Sequence, residues 1–197
     1  MMFICYVEKI IKNNMKEKIF KLKSRDYKKE YKRLARIRYS KNIHIIMNDT
    51  GAPKYFYDHI KIYNEKDHNK RMNLIYDYLY DYLKTDMEEH NYCDFKDGKC
   101  IANRLGKSVH DTNGCCYFHN HGLCKYMYNN KCHLENLSCK VFMCEYLAKK
   151  GIDYTVDTMP FLKTFCTIRE QNHFLRTYHT PKKEFMKTLK KYYLISK

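Results

Sequence analysis

The sequence predicts a mostly α fold: a helical body with a loop-rich, cysteine-rich metal-binding insert and a small β-hairpin near 43–62. Three observations predict it. Apolar residues recur at steps of three and four along stretches free of Gly and Pro, Gly and Pro together number only nine, and eight of the ten Cys fall between positions 93 and 144. At 197 residues the chain suits one compact domain, divided into a basic helical segment (1–41), a hairpin and helix (42–90), a cysteine-rich segment (91–151) and C-terminal helices (152–197).

From Phe3 to Arg38 no Gly or Pro intervenes, and Met15, Ile19, Leu22 and then Tyr27, Tyr31, Leu34 follow helical spacing, which predicts one long amphipathic helix or two. Between 42 and 63 the pattern shifts to Ile43, Ile45, Ile46 and then Tyr55, Tyr57, Ile60, Ile62, around the turn-forming run Asn48-Asp49-Thr50-Gly51-Ala52-Pro53. That pairing predicts the hairpin. Met72, Ile75, Tyr76, Leu79, Leu83 and Met87 form a helical stripe. After the cysteine-rich part, 141–150 reads as a short helix stopped by Gly151. Asp157 or Thr158 before Pro160 opens another, with Phe161, Phe165 and Ile168 on one side. Thr180-Pro181 starts a last basic helix bearing Phe185, Leu189 and Tyr192.

The formal charge of +16 sits at the ends. Residues 1–41 hold fourteen Lys/Arg against four acids and residues 182–197 hold six Lys against Glu184, while the middle is nearly neutral. Of the 38 cations 30 are Lys, in a chain also rich in Asn, Ile and Tyr, a composition that A/T-rich codons supply without selection for a binding surface. Arg, whose planar fork reads phosphates and base edges, clusters only as Arg25, Arg33, Arg36 and Arg38. A solvated basic face is therefore favoured, and nucleic acid or an anionic lipid surface at 9–38 is kept as the alternative partner. Met1 to Val7 lacks the early cation and cleavage site of a secretory signal, and no run reaches the length of a membrane span. The expected location is cytoplasmic, where thiols stay reduced and clustered Cys serve metal more often than disulfides.

The clustered thiols are Cys93, Cys100, Cys115, Cys116, Cys124, Cys132, Cys139 and Cys144. Thiolates bind soft or borderline metals, and several converging on one ion supply folding energy that a loop-rich segment lacks. Eight could serve two tetrahedral zinc sites, one iron–sulfur cluster with spares, or one site with structural thiols. No Cys-x2-Cys knuckle occurs, so the pattern is not a standard ribbon or finger. Successive side chains diverge, so Cys115 and Cys116 are expected to divide between two sites. Cys139 and Cys144 stand at a helix start, where free amides are expected to lower thiol pKa. His119, His121 and His133 lie among the cysteines as candidate nitrogen ligands, whereas His44, His59, His68, His90, His110, His173 and His179 lack a ligand context. Cys5 and Cys166, on helical stripes, read as small apolar core residues.

Gly114-Cys115-Cys116, Cys124, Cys132, Leu137-Ser138-Cys139-Lys140 and the closing Phe142 and Cys144 together resemble the zinc- or iron-chelating cysteine-rich domain family of bacteria. They are also similar to uncharacterised cysteine-rich proteins of low-GC Gram-positive bacteria. The resemblance covers about a quarter of the chain and implies chelation by Cys93, Cys100, Cys115, Cys116, Cys124, Cys132 and Cys139, with Cys144 belonging to the narrower likeness. Asn136-Leu137-Ser138 stand where the larger family usually carries Arg-Pro. Phosphate-loop, dinucleotide, nucleophile-elbow, His-Glu-x-x-His and deaminase patterns are all missing, so no residue is assigned as a general base and no catalytic role is given. The expectation is a zinc or iron–sulfur protein, the alternative a nucleic-acid-binding module with a zinc-held core, and a protein partner is left unassigned.

Overall fold

The computed structural model describes residues 16–39, 43–48, 51–107, 123–156 and 158–195. Cys5, His110, Cys115, Cys116, His119 and His121 lie outside them. Among the described residues nine helices stand against four short strands, so the mostly α expectation holds. No helix there is long and apolar enough to cross a membrane. The chain divides into two compact units, 1–71 and 72–197.

The first unit runs β1 (Lys16–Phe20), α1 (Tyr27–Tyr39), β2 (Ile43–Met47) and α2 (Lys54–Asn64). β1 and β2 pair in parallel from Lys16 opposite Ile43 to Phe20 opposite Met47, with α1 as their crossover. Phe20, Leu34, Ile45, Phe56, Ile60, Ile62 and Tyr63 form the buried core. Two polar devices fix it. Asn64 accepts from the Ile45 N–H at 2.9 Å and donates to the Ile45 carbonyl at 2.6 Å, supplying a side-chain substitute for a neighbouring strand. Glu30, 1 % exposed, is bound by Arg33, whose guanidinium lies 5.0 Å from the centre of the Phe20 ring and donates to the Lys21 carbonyl. Arg33, one of the four clustered arginines, thus serves packing.

Two expectations are corrected here. The long helix over 3–38 does not form as such: 16–20 is a strand, helix begins at Tyr27, and Asp26 accepts from the Lys29 N–H at its start. Ile19, placed on a helical stripe by spacing, is 54 % exposed, because in a strand neighbouring side chains point to opposite faces and in β1 Phe20 takes the buried one. The hairpin over 43–62 does not form either. Ile43–Met47 is a strand, but its partner is β1, and 54–64 is helix. There Phe56, His59, Ile60 and Tyr63 bury one face at helical spacing, and helix burial overrides the β preference of Tyr and Ile.

The second unit is built on α3 (His68–His90), whose first residues precede the division between the units. Met72, Ile75, Tyr76, Leu79 and Leu83 are buried as the stripe predicts. Tyr76 packs against Phe174 and Phe185, ring centres 6.3 and 5.0 Å apart. Then follow α4 (Ile101–Arg104), β3 (Met127–Tyr128), β4 (Lys131–Cys132), α5 (Leu137–Val141), α6 (Glu145–Ala148), α7 (Pro160–Phe165), α8 (Ile168–Arg176) and α9 (Lys182–Ile195). The helix expected over 141–150 is shorter, with Val141 closing α5 and Gly151 at φ +79° following α6. The expected Phe161, Phe165, Ile168 face is also corrected: the helix breaks at Cys166, and Ile168 is 76 % exposed. A capping box causes the break, Thr167 accepting from the Glu170 N–H while Glu170 accepts from the Thr167 N–H. Cys166 is a buried core thiol, its Sγ 3.6 Å from the sulfur of Met72, as its stripe position suggests.

Candidate metal centre

Among the described residues of the cysteine-rich part, tight turns carry several of the thiols. Cys93 and Cys100 flank a turn in which Lys96 and Lys99 exchange both main-chain hydrogen bonds, with Asp97 at φ +51° and Gly98 at φ +71° between them. Both central residues are left-handed, the geometry for which Asp-Gly is suited. The Ile101 N–H then returns to the Cys93 carbonyl at 2.8 Å, and Arg104 holds the Asp94 carboxylate. Cys100 precedes the first turn of α4 and Cys144 that of α6. Cys93, Cys144, Phe95 and Tyr146 pack against the buried pair Cys100 and Ala102.

A second turn of the same kind presents Cys132. β3 and β4 pair Met127 with Cys132 and Tyr128 with Lys131, joined by Asn129 and Asn130 at φ +52° and +58°. Cys124, one turn earlier, accepts from the Met127 N–H through its carbonyl at 2.8 Å.

Cys139 is placed by α5, and α5 by a set of buried polar clamps. Asn136, fully buried, accepts from the Cys139 N–H at 2.7 Å and donates to the carbonyls of Thr177 and Thr180, each at 2.8 Å. Ser138 donates to the Phe174 carbonyl and accepts from the Thr177 N–H. The Tyr76 hydroxyl donates to the Glu135 carbonyl and accepts from the Leu137 N–H. The clamps tie 135–139 to the 177–180 loop, which carries His179 at φ +57°.

There His179 meets two thiols. The Sγ of Cys124 lies 3.4 Å from Nδ1 of His179, and the His179 N–H donates to the Sγ of Cys139 at 3.2 Å. Burial pushes the Cys139 thiol up to about 12, against the pull of the His179 N–H, with Cys132 and Cys124 near enough to raise it further and Lys140 to lower it. The lowered pKa expected at this helix start is therefore corrected for Cys139. Its own N–H is taken by Asn136, α5 is only five residues long, and desolvation outweighs what remains of the dipole.

Six of the eight clustered thiols lie among the described residues, and they fall into two groups: Cys93, Cys100 and Cys144 in one, and Cys124, Cys132 and Cys139 with His179 in the other. Among the described residues no three His, Cys, Asp or Glu side chains stand close enough to hold one ion as placed. His133, a candidate ligand from its sequence position, is exposed and stacks on Tyr128 at 3.5 Å between ring centres. His179, for which sequence spacing offers no ligand context, is an imidazole that reaches a thiol. Its nearest cysteine in sequence among the eight lies 35 positions away, so no local spacing signals it. Asn136 went unrecognised as well, although Asn three residues before Cys139, ahead of Leu137, is a legible helix-start signal.

Comparison with known proteins returned no matching family model, no matching curated protein and no matching solved structure.

Proposed function

We propose that this chain binds a metal ion through Cys124, Cys132, Cys139 and His179, with zinc the ion favoured by the donor set. The contact between Cys124 and His179 carries the reading. With zinc–sulfur and zinc–nitrogen bonds of about 2.3 and 2.0 Å, tetrahedral geometry separates a sulfur and a nitrogen ligand by roughly 3.5 Å. The 3.4 Å hydrogen-bond contact between Cys124 Sγ and His179 Nδ1 is close to the length of such an edge, which supports the reading. Three thiolates and one imidazole make a Cys3His set, common in structural zinc sites, whereas iron–sulfur clusters are ordinarily held by four thiolates. Closing the site around an ion takes movement of side chains. The clamps around Asn136 hold the two main-chain segments in place meanwhile.

A nucleophilic Cys124–His179 pair is the competing chemistry for the same contact. Cys124 is only 4 % exposed, too enclosed to attack a substrate, which favours a ligand role.

The test is elemental analysis with a visible spectrum on protein purified without oxygen. Near one equivalent of zinc in a colourless protein is expected, with Cys124→Ser, Cys139→Ser and His179→Ala each losing most of it and Cys166→Ser retaining it. Absorption near 400 nm with iron would replace zinc by a cluster, and metal-free wild-type protein that stays folded would overturn the proposal.

A further inference from the structure

A cavity of about 600 Å³ opens within the second unit between the last turns of α3, the Cys93 segment and the β3–β4 turn. Cys132 and Cys139, two thiols of the proposed metal centre, form part of its wall, and Cys93 stands in the same wall. Its volume lies in the range of sites for small organic molecules.

The lining separates by depth. Tyr80, Met87, Tyr92, Phe95 and Met127 are buried or half-buried, so the floor is aromatic and thioether surface suited to a flat apolar body. Among the lining residues the charges at the rim are exposed: Lys84 and Lys131 of one sign, Glu88 and Glu135 of the other. Lys140 differs, being half-buried, with its ammonium 5.9 Å from the centre of the Tyr80 ring. Among the described residues Lys140 forms no ion pair with a carboxylate. A half-buried ammonium held against an aromatic face, within ion-pair distance of no carboxylate among the described residues although Glu88 and Glu135 line the same cavity, favours an anion arriving in that space.

We infer that this cavity binds a small aromatic carboxylate, its ring on the floor formed by Tyr80, Phe95 and Met127 and its carboxylate paired with Lys140. The two cysteines in the wall set the ligand beside the metal centre, so that the ion and the ligand share Cys132 and Cys139 as neighbours. The inference extends the metal proposal without depending on it, because the floor and Lys140 exist whether or not an ion is bound.

The experiment compares 1-naphthylacetate with its neutral counterpart 1-naphthylacetamide, titrated calorimetrically into the full chain, with metal content measured on the same samples. The acid is expected to bind at least tenfold more tightly than the amide. Lys140→Gln is expected to erase that preference while leaving amide binding in place, which also shows that the variant is folded. Met87→Trp, which fills the cavity from α3, is expected to abolish binding of both. Equal binding of acid and amide, no binding of either to wild-type protein, or a preference surviving in Lys140→Gln would each overturn the inference. Lys140-dependent acid binding in a metal-free protein would sustain the cavity and sink the metal proposal, and stoichiometric zinc without acid binding would do the reverse.

Discussion

Asn136 shows how much a single buried side chain can organise. It is fully buried, it spends its carbonyl on the Cys139 N–H and both its amide hydrogens on the 177–180 loop, and so joins the thiol of α5 to the loop of His179. Asn136→Ala leaves three main-chain groups without their partner, and a loss of about 2–4 kcal/mol is expected in chemical denaturation. Under the proposed metal binding, weaker metal retention should accompany it, since the proposed ligands are intact but no longer held together. Cys139 makes a second prediction. With its thiol pushed up to about 12 by burial, it carries its proton at neutral pH and must release it to bind an ion. Zinc affinity should therefore rise by roughly tenfold per pH unit for each such proton released, measurable by chelator competition between pH 6 and 8. An affinity independent of pH over that range would remove Cys139 from the ligand set.

At the scale of elements, short helices and tight turns replace the longer pieces that periodicity suggests. The β3–β4 turn is legible in sequence as Asn129-Asn130, a pair tolerant of left-handed backbone, and Asp97-Gly98 is equally so. Both are local chemistry. The break between α7 and α8 is local too, written in Thr167 and Glu170 as a capping box that divides one apolar pattern into two helices. Thr167→Ala should cost about 1 kcal/mol, read as a lowered denaturation midpoint with unchanged cooperativity. What the pattern of residues 43–62 could not supply was the partner of the strand. Parallel pairing joins Ile43–Met47 to residues about 27 positions earlier, across a helix, and nothing within either strand names the other.

At the scale of the whole molecule, two units carry two different sensitivities. His59, 2 % exposed beside Tyr31 and Phe56 in the first unit, has its pKa lowered to about 3 by burial. A histidine held neutral in the fold and free to charge when unfolded gives stability that is full above its ordinary value of 6.5 and is lost as pH falls toward 3. Between pH 7 and 5 that loss is about 2 kcal/mol. His59→Leu should flatten this part of the acid dependence, followed by urea denaturation at each pH. The thiol centre lies in the second unit, so a chelator should lower the stability of that unit while leaving the His59 dependence in place. If zinc removal shifted no transition, the metal would have no structural role.

Composition and spacing by themselves determined that the chain is mostly helical, that residues 72–83 bury one stripe, and that eight of the ten cysteines gather between Cys93 and Cys144. These follow from short-range rules: helical period, missing Gly and Pro, and turn residues. Tertiary structure decided that β1 pairs with β2, that the described thiols divide into two groups, that desolvation raises the Cys139 thiol, and that His179 is the imidazole beside Cys124. Each of those depends on segments far apart in sequence being held together by buried side chains such as Asn136, Ser138 and Tyr76. Burial and distance across the fold set the electrostatics there, and neither is a property of any one stretch of chain.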